Sequence, residues 1–177
     1  MVWQLDLSDN QLCGKDRWGR GTHTAEGITA IADALRVNGG LTVTNFMGNW
    51  RGLDEESSAK MLAEVAKQKG ISLCGIQRDQ TTADFSNLNL QPPDVILLAS
   101  DLSQAGVTGA LMTLDLSSNN LKDEGVSAVC EAIQSNKETK LTSLNFGDND
   151  IGPVGANAVA AMVAATGSLT KMWYVSP

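Results

Sequence analysis

Apolar residues along the chain follow two alternating spacings. One spacing places apolar side chains at positions 1, 4, 6 and 11 of a short segment, with asparagine at position 9. Residues 2–12, 111–121 and 141–151 fit this frame almost completely, and weaker copies begin at 41, 71 and 169. Side chains alternate between the two faces of a strand, so the pair at positions 4 and 6 points inward. The pattern therefore predicts six short strands.

Between these segments the apolar residues change to a spacing of i, i+3, i+4 and i+7, which is typical of a helix with one buried face. Pro93 and Pro153 lie near two of the helix starts, where a missing backbone N–H costs little. Five helices are thus predicted to alternate with the strands. Their apolar stripes run from Ile28 to Leu35, Ala59 to Ala66, Val95 to Leu102, Val126 to Ile133 and Ala156 to Val163.

The regular return of the strand frame predicts a repeat architecture. Successive first positions are separated by 39, 30, 40, 30 and 28 residues, which indicates a unit of about 28 to 30 residues with two insertions of about ten. One unit cannot bury its apolar edge alone, so neighbouring units must stack. We therefore predict a single domain over residues 1–177. Its units start near 2, 41, 71, 111, 141 and 169, and its insertions lie at about 13–23 and 80–90.

The most complete unit carries a family resemblance. Residues 111–133 have the pattern L-x-x-L-x-L-x-x-N-x-L-x-x-x-G-x-x-x-V-x-x-x-I, and residues 141–163 repeat it with Gly155 in the place of Gly125. This pattern resembles the leucine-rich repeat family, in its ribonuclease-inhibitor-like class. The resemblance implies an α/β leucine-rich-repeat solenoid, curved, with parallel strands on the concave face and helices on the convex face. It also implies protein partners, since some members of the class block nucleases and others stimulate small GTPases.

Composition and charge exclude several classes of ligand. The chain has 177 residues, of which 42% are hydrophobic, and a formal net charge of −7. Its longest wholly apolar run is the eight residues 158–165, well short of the roughly 20 that cross a bilayer. A pI near 4.6 argues against nucleic acid, because phosphate binding requires clustered Lys and Arg. We expect no membrane span and no nucleic-acid partner.

The three cysteines indicate the compartment. The chain has three cysteines, Cys13, Cys74 and Cys130. Because their number is odd and they are widely spaced, free thiols are favoured over a disulfide framework. No signal or transit peptide begins the sequence. We therefore expect an intracellular protein, located in the cytoplasm, or in an organelle if a targeting segment was removed.

Residues that could carry catalysis are few. His23 is the only histidine. A metal site needs three or four ligands at matched spacing, which His23 alone does not provide. Cys13 is the one thiol that could pair with His23, because Cys74 and Cys130 fall on inward positions. The alternative is a loop histidine beside Thr22 or Thr24 that caps the first helix. No nucleotide-binding glycine motif occurs, so we predict no metal, no cofactor and no enzyme activity.

Outward strand positions are the main candidate for partner binding. They form a polar, mildly acidic row that suits a basic or polar protein surface, although a merely solvated sheet would carry the same residues. Tryptophans lie in the strands at both ends and are candidate anchors, since tryptophan is enriched at binding hot spots. The row and its anchors are Trp3, Asp6, Asn45, Asp115, Asn145 and Trp173.

Two further surfaces are candidates. Trp18 and Trp50 lie on neighbouring units, where they either form an aromatic platform or cover the first insertion. The last helix has no charged residue, and its predicted back carries small or apolar side chains that either contact a partner or expose only methyl groups. These residues are Ala158, Ala161, Met162 and Ala165.

Together these features favour a non-enzymatic protein–protein interaction or scaffold module, as a subunit or fragment of a larger assembly. The alternative function is a regulator or inhibitor of another enzyme, resembling nuclease inhibitors or regulators of small GTPases.

Overall fold

Strands and helices alternate along the chain in the computed structural model, which describes residues 3–14, 18, 20–49 and 56–173. The strands of this part are β1 (Trp3–Asp6), β2 (Leu41–Asn45), β3 (Thr82–Asp84), β4 (Thr113–Asp115), β5 (Ser143–Asn145) and β6 (Lys171–Trp173). The helices are α1 (Glu26–Val37), α2 (Glu56–Lys69), α3 (Pro92–Leu102), α4 (Ala105–Thr108), α5 (Lys122–Ser135) and α6 (Pro153–Ala165). The five predicted helices are present, and the single-turn helix α4 is additional.

All strand pairs are parallel, as expected when each strand is followed by a helix that returns the chain. β1 pairs with β2, and a second sheet has the order β3-β4-β5-β6. The helices form their own layer, in which α1 packs on α2, α2 on α3, α3 on α5, and α5 on α6. The core lies between the two layers, where Leu114 and Leu144 from the strands meet Val129 and Ile133 from α5. These features confirm an α/β repeat fold with parallel strands.

The segment after α2 corrects the prediction of a strand in the copy of the frame that begins at 71. Residues 71–76 form only isolated bridges, from Ser72 to Val43 and from Cys74 to Asn45. The carboxylate of Asp101 accepts hydrogen bonds from the backbone N–H of Leu73 (2.8 Å) and of Cys74 (3.0 Å). A side chain thus takes the place that carbonyl groups of a neighbouring strand would occupy, and the ladder is interrupted here.

β3 lies inside the segment 80–90 that the sequence assigned to an insertion. It pairs residue for residue with β4, and Ala83 and Phe85 are buried like the apolar pair of the other strands. The repeat frame missed it because Gln80 stands at the first position and Leu88 at the asparagine position. Leu88 is 51% exposed, since an apolar side chain cannot make the hydrogen bonds that hold asparagine inside.

Buried asparagines join successive units in the way the frame requires. The Asn149 amide donates from Nδ2 to the carbonyls of Leu116 (2.8 Å) and Phe146 (3.0 Å), and its Oδ1 accepts the Leu121 N–H (3.3 Å). Asn119 bridges its own unit to the preceding one through the carbonyls of Leu116 and Phe85. One side chain therefore satisfies main-chain groups of two units, which would otherwise be buried without partners.

The rotation of α6 differs from the predicted stripe. Gly155, Val159 and Met162 are buried, whereas Val163 is 41% exposed. The Asp123 carboxylate of α5 accepts the N–H groups of Gly152 (2.7 Å) and Gly155 (2.9 Å) and so fixes how the first turn of α6 faces α5. Only glycine fits at 155, because a Cβ there would lie 2.7 Å from Asp123 Oδ1. Apolar residues occur on every side of α6, so their spacing alone did not determine which side is buried.

Candidate interaction surface

The strands align the predicted residues within each of the two sheets. Asp84 pairs with Asp115, Asp115 with Asn145, and Asn145 with Trp173 across β3 to β6, while Asp6 pairs with Asn45 in the other sheet. We call these six residues the strand row. The Asn145 amide also donates to Asp115 Oδ2 (3.0 Å), which fixes both side chains relative to each other.

Asp84 is a member of the strand row that sequence analysis missed. A signal was present, because the triplet Asp-x-Ser occurs at the end of three strands. In each triplet the aspartate Oδ1 accepts the serine N–H two residues later at 2.9 Å, in Asp6–Ser8, Asp84–Ser86 and Asp115–Ser117. The recurrence of this turn marks strand ends independently of the leucine frame.

The same hydrogen bonds favour ionised carboxylates in the row. The backbone and hydroxyl bonds from Ser8 lower the pKa of Asp6 below its ordinary value. Partial burial works to raise the pKa of Asp115, but the hydrogen bonds from Ser117 and Asn145 outweigh it, so that its pKa is lowered as well. Charged, oriented acidic groups therefore line this face of the sheet at neutral pH.

The structure describes three of the four tryptophans, at positions 3, 18 and 173. Trp3 is 60% exposed in β1, and Trp18 is 63% exposed with the Arg20 guanidinium 4.7 Å from its ring centre. Trp173 is aligned with the strand row by its backbone. Trp50 lies outside the described residues, so an aromatic platform shared with Trp18 stays a prediction.

The predicted back of α6 is partly corrected. Ala161 and Ala165 are exposed as expected. Ala158 instead packs against the core and Met162 is fully buried, so the prediction that Met162 faces outward is wrong. Two larger apolar residues that were not predicted also lie on the exposed face of α6. They are Val154, 65% exposed, and Val163.

The structure describes the candidates for catalysis, Cys13 and His23, and the other two cysteines. Cys13 is fully buried, and the Thr24 hydroxyl next to His23 accepts the Glu26 N–H (3.3 Å) at the start of α1. Burial raises the pKa of the Cys130 thiol to about 12, and burial together with Asp101 raises that of Cys74. Within the described residues, no cluster of His, Cys, Asp and Glu could hold a metal ion, and no helix is long and apolar enough to cross a membrane.

Two buried carboxylates on α3 escaped sequence analysis. Asp94 accepts the N–H of Gly48 (3.1 Å) and Gln91 (3.0 Å), and Asp101 accepts the Ser72 hydroxyl (2.7 Å) besides its two backbone bonds. Burial raises the pKa of both groups against these hydrogen bonds, to about 6 for Asp101. Their position inside an apolar run was the available signal, because charged residues are rarely buried without hydrogen-bond partners.

Comparison with known proteins shows what the chain is similar to. The family model for the leucine-rich repeat matches residues 111–130 and 137–160. Ribonuclease inhibitor from Mus musculus is 27% identical over 149 residues, which cover 84% of this chain and 30% of that protein. The chain is therefore similar to leucine-rich-repeat proteins, and to ribonuclease inhibitor in particular.

The chain spans 30% of the length of the curated relative it matches. A solved structure of leiomodin-1 actin-binding site 2 aligns with 98% of this chain and 70% of its own, at 16% identity and a TM-score of 0.37. Leucine-rich-repeat proteins generally bind other proteins and are typically not enzymes.

Proposed function

We propose that this chain is a non-enzymatic protein-interaction module whose strand row binds a basic or polar protein surface. The supporting observation is the alignment of Asp84, Asp115 and Asn145 at one position of adjacent parallel strands. In this proposal the repeats form a curved solenoid with the strand row on its concave face, where one partner touches several units at once.

Preorganisation is the mechanism of binding. Each carboxylate of the row already accepts a hydrogen bond from its own turn, so little rotamer freedom is lost when a partner docks. Complementary charge speeds encounter and selects basic partners, while Trp3 and Trp173 serve as anchors at the edges.

A regulator or inhibitor of another enzyme is the second candidate. It is supported by the similarity to ribonuclease inhibitor together with the acidic strand row, which suits a positively charged enzyme. Association should then be fast and strongly weakened by salt.

Membership of a larger assembly is a separate part of the proposal. The exposed face of α6, with Val154, Ala161, Val163 and Ala165, offers apolar area that a neighbouring subunit can cover. The three buried free cysteines suit a reducing, intracellular compartment.

The test replaces charge without changing shape. In Asp84→Asn/Asp115→Asn the side-chain oxygen still accepts the turn hydrogen bond, as Asn45 and Asn145 do at equivalent positions. The immobilised wild type and the double variant are incubated with extract of the source organism, and bound proteins are quantified by mass spectrometry at low and raised salt. We expect a specific, salt-sensitive partner to be lost from the variant.

The matched control is Glu26→Gln/Glu138→Gln, which removes two exposed acidic charges away from the strand row. Equal loss from both double variants would overturn the strand row as the binding surface. For the inhibitor candidate, cleavage of a fluorogenic RNA by a purified basic ribonuclease is measured with increasing amounts of the chain. Unchanged cleavage at every salt concentration would reject inhibition of that ribonuclease class.

A further inference from the structure

α3 carries its polar and apolar residues in an unusual arrangement. Its two charged residues, Asp94 and Asp101, are buried and bind backbone groups of the segments at Gly48 and at Leu73. The side of α3 that faces solvent consequently has no charge. Its half-buried residues are Ile96, Ala99 and, at the C-cap, Ser103.

A groove runs along this uncharged side of α3. Its larger part has a volume of about 930 Å³ and its smaller part, at the start of α3, about 490 Å³. Ile96 and Ala128 line both parts, so the two parts adjoin each other. α2 and α5 flank it as walls, because α3 packs between them.

The floor and inner walls of the groove are mostly small or apolar. Met61 and Ala63 of α2 face Ala128 and Ala132 of α5 across Ala99. Small side chains leave space into which larger ones from another helix can insert, in the manner of ridges packing into grooves.

Charged residues of both signs border the groove. Lys60, Glu64 and Lys67 of α2 and Arg36 of α1 lie along one side, Glu131 of α5 lies on the other, and Lys122 and Glu124 of α5 line the smaller part. Arg36 is paired with Asp33, so two lysines with one glutamate between them give the α2 rim its positive character in a chain of net charge −7. The rim next to α2 therefore favours acidic groups.

We propose that this groove binds an amphipathic helix of a protein partner, with large apolar side chains against α3 and an acidic flank toward α2. The eleven residues of α3 correspond to about 16 Å, or about three turns of an occupying helix. Recognition is then of the helix-in-groove type, with apolar anchors at helical spacing. The surface lies in the helix layer and is separate from the strand row.

A synthetic peptide tests the proposal directly. The probe is a fluorescein-labelled helical peptide of about three turns, with leucines on one face and glutamates along one flank. A second peptide has lysine in place of each glutamate, and a third has the first composition in scrambled order. Fluorescence anisotropy should show binding of the acidic amphipathic peptide, and much weaker binding of the other two.

Two variants locate the binding. Ala99→Arg fills the floor and should weaken the acidic peptide by at least about tenfold. Lys67→Glu reverses an exposed rim charge and should weaken it by about fivefold, whereas Lys69→Glu, exposed on the same helix but outside the groove, should leave it nearly unchanged. The lysine pair decides the outcome even if Ala99→Arg fails to fold.

Three results would overturn the proposal. One is no binding of the acidic peptide to the wild type, and another is equal weakening by Lys67→Glu and Lys69→Glu. The third is a wild-type dimer in sedimentation that Lys67→Glu dissociates and Lys69→Glu does not, which would assign the groove to a second copy of the chain. Failure of the strand-row experiment leaves this test intact, because Asp84→Asn/Asp115→Asn does not alter the groove.

Discussion

Buried amides and carboxylates act at single positions to join units of this fold. Asn149 is 2% exposed and bonds three carbonyl groups and one N–H, while Asp101 is fully buried and accepts three donors. Frame spacing identified Asn149 in advance. Asp101 was not identified, because the donors it satisfies come from residues 72–74, far away in the sequence.

Replacing Asn149 by alanine should destabilise the chain. The change leaves the Phe146 carbonyl and the Leu121 N–H without their side-chain partner and removes one of the two amide donors to the Leu116 carbonyl, which costs about 2 kcal/mol in the free energy of unfolding. Urea denaturation measures the loss. The exposed Asn157→Ala on α6 is the control, and a loss as large in that variant would contradict the role of the asparagine ladder.

Stability should depend on pH through Asp101. Its pKa in the folded chain is about 6, raised by burial from the ordinary 3.8, so the folded state holds the proton more tightly than the unfolded state. The contribution to stability is complete below about pH 4 and is lost as the pH rises to about 6, on the order of 3 kcal/mol in total.

Unfolding free energies of the wild type and Asp101→Asn across this pH range measure the effect. The decline should be smaller in Asp101→Asn, and any residual decline of the same sign belongs to Asp94, whose pKa is also raised. Parallel curves for the two proteins would show that Asp101 does not titrate in this range.

Helices were predicted with more success than strands. All five helical segments carry a spacing that is local to one element, and each was found. β3 was missed and residues 71–76 do not form a regular strand, because a short strand is defined by its partner rather than by its own few residues. The buried face of α6 depended in the same way on Asp123 of the neighbouring helix.

Paired substitutions on α6 test its rotation. Met162→Ala removes a fully buried side chain and should cost about 2 to 4 kcal/mol of unfolding free energy. Val163→Ala removes a side chain that is 41% exposed and should cost less than about 1 kcal/mol. Chemical denaturation of both variants decides between this packing and the stripe that the spacing predicted. If the stripe were correct, Val163→Ala would cost more unfolding free energy than Met162→Ala.

In the part of the chain that the structure describes, α3 connects two sheets of parallel strands. Residues 72–74 bridge to β2 and are held by Asp101, and the segment after β2 is held at Gly48 by Asp94. Repeat arrays transmit stability mainly between neighbours. The two carboxylates are therefore the points at which the first units are coupled to the rest.

Removing one of these links should loosen the first units selectively. In Asp101→Ala, hydrogen exchange should accelerate at Thr44 and Phe46, whose N–H groups bond to the carbonyls of Ser72 and Leu73. Exchange at Leu116 and Ser118, which bond within the second sheet, should change little. Uniform acceleration over the chain, measured by NMR, would instead indicate a single cooperative unit.

The sequence by itself determined the repeat unit, the helices, the inward leucines and asparagines, and the polar character of the strand row. Each of these depends on periodic spacing or on a requirement that one residue meets locally. Tertiary structure alone decided where the sheet is interrupted, that β3 joins it, which face of α6 is buried, and that the charges of α3 point inward. These outcomes depend on contacts between residues far apart in the chain. Such contacts, and the burial and hydrogen bonds that favour them, form only when the units stack.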